Sequence, residues 1–300
     1  MTPPLPPVVG PLWARDHRGD LILADVRWYP DGRDGQAAYR AGHLPGAVWV
    51  DLDTVLSGPP DDRAGRHPLP HPAAFARALG DLGIGDDAVV VAYDDHGGAF
   101  AARLVWLLRR IGRQAALLDG GLAAWPGRLE TGRVTLPPVA RRPVAWPPER
   151  IRFADAVARA AATGSAAVLD ARAPYRHSGS TVPPADARPG HVPGAVHAPW
   201  TANLATDGTF APPRRLRERY RSLGVTAGRD VIVYCGSGVT ACHDLLALEL
   251  IGVDTAALYP GTGSGWPAAQ DRPAAGREQP RTGPATGPRP RRARGGPRRA

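Results

Sequence analysis

The chain has 300 residues, 43% hydrophobic and 22% charged, a balance that supports genuine hydrophobic cores and excludes a wholly disordered polypeptide. Two cysteines exclude a disulfide scaffold, and no apolar run approaches the roughly eighteen residues of a bilayer-spanning helix. The net charge of +9 is concentrated at one end: all 37 basic residues are arginine, and residues 279–300 hold seven of them with no acid.

The amino terminus has no basic segment leading into an apolar core, so no secretion signal is expected and the chain is expected to be cytoplasmic. Leu21 to Ala24 predicts a buried strand that ends in Asp25-Val-Arg27. Gly42-His43-Leu-Pro-Gly-Ala-Val48 predicts a fixed Pro-Gly turn feeding a second strand. Asp51-Leu-Asp53 and a loop histidine, His67, follow. Val89 to Tyr93 is a further buried strand, succeeded by Asp94 and Asp95, and a Gly-Gly turn then leads to Trp125.

Proline-rich residues 137–149 predict a stiff, extended linker, beyond which the pattern recurs. Asp170-Ala-Arg172 echoes Asp25-Val-Arg27, Gly190-His191-Val-Pro-Gly-Ala-Val196 echoes the first turn, and Tyr234 and Trp266 echo Tyr93 and Trp125. The matching residues lie roughly 140 apart, too far for a solenoid unit, so the chain is a duplicated domain. Strands alternating with helices imply an α/β fold, each copy a parallel sheet flanked by helices. We place the copies at 8–136 and 150–270. From 271 to 300 the composition is mostly Pro, Gly, Ala and Arg, and this tail is expected to be disordered. No aromatic residues interleave its arginines, so nucleic-acid binding is not expected.

The richest segment is Val231-Ile-Val-Tyr-Cys235-Gly-Ser-Gly-Val-Thr-Ala241, a strand, a tight loop and a helix start. A cysteine there faces the N–H groups at a helix N-terminus, which stabilise anionic sulfur. Cys235 is therefore read as a nucleophile, with the loop from Gly236 to Ala241 stabilising an anionic sulfur species. Gly236 and Gly238 allow the tight curl, Val239 lies between them and the helix, and Ser237 and Thr240 can donate hydrogen bonds or cap the helix. Cys242 reads as a buried apolar residue, and with His243 it lacks the second ligand pair of a zinc site. No cofactor is expected.

The Cys235-Gly-Ser-Gly-Val-Thr-Ala241 loop resembles that of the 3-mercaptopyruvate sulfurtransferases, within the tandem-domain rhodanese superfamily. The Asp-x-Arg and Gly-His-x-Pro-Gly-Ala motifs extend the resemblance over about residues 10 to 270. It implies two facing α/β domains, the first without a nucleophile because an acid takes the place of Cys235. It implies a role in catalysis for Ser237 and the first-domain Asp53. It implies carboxylate-binding arginines at Arg176 and, over a segment shorter than usual, Arg188. It also implies a place near the substrate for His67. The turn at Thr262-Gly-Ser-Gly-Trp266 departs from the family's bulkier, acidic turn, which puts substrate packing in doubt.

The implied partners are a small sulfur donor and an acceptor: a thiol such as thioredoxin, a low-molecular-weight thiol, or cyanide. Thiosulfate is the alternative donor, but the loop carries no Arg or Lys to favour a dianion. A non-catalytic binding protein is an alternative that the intact Cys235 opposes. A phosphatase is opposed by the absence of a loop arginine.

Overall fold

The structure is a computed structural model and describes residues 5–60, 65–181, 189–261 and 274–275. Arg188, the turn at 262–266 with Trp266, and all of the tail except Ala274 and Ala275 lie outside the described residues.

In the first domain β1 (Val8–Val9), β2 (Leu21–Asp25), β3 (Val48–Trp49), β4 (Val89–Tyr93) and β5 (Ala115–Leu118) form a sheet. Its order is β1-β5-β4-β2-β3, all parallel. Helices α1 (Pro11–Asp16), α2 (Gly35–Ala41), α3 (Pro72–Asp81) and α4 (Ala101–Arg110) connect and cover it. The second domain repeats the plan with α5 (Ala154–Thr163), β6 (Ala166–Asp170), α6 (Pro174–Ser178), β7 (Val196–His197), α7 (Pro213–Ser222), β8 (Asp230–Tyr234), α8 (Ala241–Leu250) and β9 (Ala257–Leu258). The order β7-β6-β8-β9 is that of the first sheet, and a single parallel bridge from Ile151 to Leu258 stands where β1 would be.

The repeated motifs interlock as one structural unit. In each copy the Pro-Gly pair makes a turn with Gly at positive φ, 74° at Gly46 and 83° at Gly194, closed by Ala47 N–H to Leu44 O and Ala195 N–H to Val192 O, both 2.9 Å. Arg27 grips Asp25 through Nε and Nη2 at 3.0 and 2.7 Å and donates to Gly42 O at 2.6 Å. Arg172 does the same to Asp170 and Gly190 O, at 2.9, 2.7 and 2.9 Å. The tyrosines ending β4 and β8 accept from Leu44 N–H (3.0 Å) and Val192 N–H (3.2 Å). Asp-x-Arg, Gly-His and Tyr thus pin the sheet to the turn that follows it.

Helices α4 and α8 are buried from their first residue through Leu108 and Leu248, because each packs against its own sheet and against the other. One continuous apolar core therefore runs through both domains. At its edge Glu249 accepts from Arg109 Nε at 2.8 Å and from Arg110 Nη2 at 2.6 Å. The linker lies against the first domain, with Val139 N–H on Gly80 O (2.9 Å) and Trp146 Nε1 on Pro70 O (2.8 Å). Ala275, within the segment expected to be disordered, exchanges two backbone hydrogen bonds with His191, at 2.7 and 2.9 Å.

Candidate active site

β8 is buried along Val231 to Tyr234 and delivers Cys235 to its carboxyl end, where the chain must turn into α8. Cys235 is 1% exposed, at the floor of a cleft of about 430 Å³ between the domains. The loop lines one side through Gly236, Ser237, Val239 and Thr240, and α6 adds Tyr175 and Arg176. The first domain supplies the facing wall with Trp28, Arg66, His67, His96 and Phe100. Among the described residues the lining includes two guanidinium groups and no carboxylate. That composition suits an anion.

The loop is built to receive negative charge. Ser237 N–H points at Cys235 Sγ at 3.5 Å, and the N–H groups of Gly238, Val239 and Thr240 donate to nothing among the described residues. The duplicated loop shows what such amides do. Asp94 follows β4 as Cys235 follows β8, and it is fully buried. Its Oδ1 accepts from His96 and Gly98 N–H at 2.8 Å, and its Oδ2 from Phe100 and Ala101 N–H at 2.9 Å. The first loop is thus an anion cradle filled by its own side chain. Of the two acids the sequence left open, Asp94 occupies the position of Cys235, while Asp95 turns away to accept from Tyr29 Oη at 2.7 Å.

Arg176 lies directly over Gly236. A Cβ added at Gly236 would stand 2.2 Å from Arg176 Nη2, so the glycine is what lets the guanidinium reach the loop. Gly238 has φ +70°, a conformation that favours glycine.

Asp53 is near the site but outside the cleft lining. Its carboxylate accepts from Trp28 Nε1 at 2.9 Å and pairs with His67 Nε2 at 2.9 Å, and among the described residues no hydrogen bond joins it to Ser237. His67 is 6% exposed, and burial pushes its pKa below the ordinary histidine value despite the Asp53 carboxylate beside it. It is thereby held as a neutral ring that donates Nε2–H to Asp53. Cys242 is fully buried, with Sγ 3.3 Å from Gly238 O, and burial pushes its thiol up to about 12. It stays protonated and inert.

Several cleft residues were not legible in the sequence. Arg66, His96, Phe100, Tyr175 and Trp200 carry no motif of their own and meet only through the packing of the two domains. Arg103 is the most consequential omission. It sits inside the α4 apolar run, fully buried, and its Nη1 donates to Gly238 O at 3.0 Å across the domain boundary. An arginine in an otherwise apolar helix face was the available signal.

Known proteins extend these observations. The rhodanese-like domain family matches residues 9–127 and 153–269. A Pseudomonas aeruginosa protein named "Probable 3-mercaptopyruvate sulfurtransferase" is 43% identical over 276 residues, covering 88% of this chain and 95% of its own. A Mycobacterium tuberculosis relative provisionally named a thiosulfate sulfurtransferase, SseB, is 42% identical over 264 residues, covering 85% and 91%. The crystal structure of SseA, a 3-mercaptopyruvate sulfurtransferase from Escherichia coli, superposes with a TM-score of 0.75 at 34% identity over 86% of this chain and 98% of that one. Two domain matches in tandem and full-length relatives above 40% identity agree with the duplicated sheets: the chain belongs to the rhodanese family.

Proposed function

We propose that the protein is a sulfurtransferase that takes sulfur from 3-mercaptopyruvate onto Cys235 and passes it to a thiol or to cyanide. The observation that carries this reading is a buried cysteine beneath loop amides of Gly238, Val239 and Thr240 that donate to nothing among the described residues, in a cleft whose described lining has two guanidinium groups and no acid. The names of the Pseudomonas and Escherichia relatives favour the same donor.

In this mechanism Arg176 binds the donor carboxylate, because its planar fork matches both oxygens. The Cys235 thiolate attacks the donor sulfur, forming the S–S bond as the C–S bond breaks. The electron pair released passes to the carbon skeleton as the enolate of pyruvate, which takes up a proton and leaves as pyruvate. Cys235 then carries a persulfide, whose outer sulfur an acceptor nucleophile removes, returning the thiolate. The loop amides stabilise negative sulfur at both stages, as the first-domain amides stabilise Asp94. We assign the donor's keto end and the proton to Ser237, which lines the loop side of the cleft, and to His67, which lines the facing wall with Asp53 as its hydrogen-bond partner. The acceptor is a small thiol, a thioredoxin-like protein thiol or cyanide.

Thiosulfate is a second reading with an observation of its own. Arg66 brings a second guanidinium to the cleft, which a dianion would use, and the Mycobacterium relative is named for that donor. Steady-state kcat/KM for both donors, measured side by side, decides between them. Higher efficiency with mercaptopyruvate is expected, and a preference for thiosulfate would reverse the assignment. Mass spectrometry after exposure to donor should show one added sulfur on Cys235. A chain that gains none from either donor would be a binding protein instead.

A further inference from the structure

Arg103 has no ordinary reason to be where it is. It lies in α4 of the first domain, is fully buried, and forms no ion pair among the described residues. Burying a guanidinium is costly unless its donors are satisfied. Its donors go to backbone carbonyls: Nε to Leu56 O (3.4 Å), Nη2 to His67 O (3.2 Å) and Pro68 O (3.4 Å), and Nη1 to Gly238 O (3.0 Å). Three of these acceptors are in the first domain, and the fourth is in the loop after Cys235.

Gly238 O also accepts from Cys242 Sγ at 3.3 Å, so this carbonyl is held from two sides. Its peptide plane includes the Val239 N–H, which must point opposite to the carbonyl because the bond is planar and trans. Fixing the carbonyl toward Arg103 therefore turns that N–H away from Arg103. The first-domain loop has a counterpart across the boundary, His243 Nε2 to Gly97 O at 3.1 Å, but its amides are also ordered from within by Asp94, an anchor the Cys235 loop lacks. The catalytic loop must hold the same shape around a sulfur that is loaded and unloaded in every cycle.

We propose that Arg103 is the positioning residue that presets the Cys235 loop for anionic sulfur, acting through the Gly238 carbonyl. The inference rests on the sulfurtransferase reading and gives the cysteine-less domain a defined part in the reaction. Arg103 touches no substrate, so its loss slows persulfide formation and leaves donor capture by Arg176 in place.

The test uses the full chain carrying Arg103→Met, which keeps volume and removes donors and charge, and Arg103→Gln, which keeps a donor. Single-turnover persulfide formation on Cys235 is followed with mercaptopyruvate and with thiosulfate, alongside KM and the thermal midpoint. A loss of about 10- to 100-fold in the rate at saturation is expected with both donors, the scale of a misplaced reacting group, with KM changed less than about threefold. Gly238→Ala, whose Cβ would stand 3.1 Å from Pro260 Cα and 3.3 Å from Arg103 Nη1, serves as the second arm of a double-mutant cycle. Losses in the Arg103→Met/Gly238→Ala chain that are not additive support a shared route, and additive losses overturn it. Wild-type rates in a folded Arg103→Met chain overturn the proposal. Failure of both Arg103 variants to fold would assign the residue to the fold alone and also overturn it. A wild-type chain that gains no sulfur from either donor would fail at the prior step, bringing down the sulfurtransferase reading and this inference together.

Discussion

The loop after Cys235 shows how much a single glycine can determine. Because Arg176 occupies the space that a side chain at 236 would need, Gly236→Ala should push the guanidinium out of the cleft. The expected result is a KM for mercaptopyruvate raised about tenfold or more, approaching the roughly 10- to 150-fold expected of Arg176→Ala for a lost charge-assisted bidentate contact. In both variants the rate at saturation should fall much less, because a carboxylate handle is present in ground and transition states alike. An unchanged KM in Gly236→Ala, read from steady-state kinetics, would place the carboxylate elsewhere. Cys235→Ser should abolish turnover with every donor while circular dichroism shows an intact fold, since serine cannot carry the persulfide.

Within one element, α8 places two buried titratable groups side by side. His243 donates from Nε2 to Gly97 O at 3.1 Å, and burial lowers its pKa to about 3. Asp244 accepts from Asn203 Nδ2 at 2.5 Å and Tyr220 Oη at 3.1 Å, and burial raises its pKa to about 7 despite Arg219 nearby. A depressed histidine leaves the unfolded chain binding the extra proton, so stability falls as pH drops from about 6.5 toward 3. A raised aspartate leaves the native chain binding it, so stability falls as pH climbs from about 4 to 7. Each slope is about 1.4 kcal/mol per pH unit, and between pH 4 and 6.5 they oppose each other. Asp244→Asn keeps the shape and removes one of them. Denaturant titrations of that variant should show stability that rises with pH across this window, where the wild type has a weaker dependence from this pair. Parallel profiles for the two chains would mean that Asp244 is ionised throughout.

At the scale of the whole molecule, the two domains share one apolar core and a largely buried ion cluster, so they should unfold together. Glu249 is the only acid on Arg109 and Arg110 among the described ion pairs, and burial already lowers the pKa of Arg110. Glu249→Ala should therefore cost about 3–5 kcal/mol, because it leaves two largely buried guanidinium groups without their partner. Calorimetry should show a single transition at lower temperature. Two separate transitions in the wild type would show that the domains are independent, contrary to the continuous core.

The duplicated fold and the position of Cys235 at the end of a buried strand were legible in the sequence for a local reason. Strand, turn and helix starts are written in neighbouring residues, and Asp25/Asp170, His43/His191 and Tyr93/Tyr234 repeat in order. The structure gives these recurring residues interlocking structural work away from the cleft. The choice between Asp94 and Asp95 could not be made along the chain, since the two loops differ by one residue and only the four amide contacts settle it. The resemblance implies a catalytic role for Asp53 alongside Ser237, and the sequence does not show that its hydrogen bonds go to Trp28 and His67. Arg103 and Gly238 are 135 residues apart, and Arg66 reaches the cleft from the opposite domain to Arg176. Sequence alone therefore determined the duplicated fold and the strand end that carries Cys235, both being local patterns. Only the tertiary structure decided what surrounds that residue, because the cleft exists where two domains meet and each contributes contacts the other cannot encode.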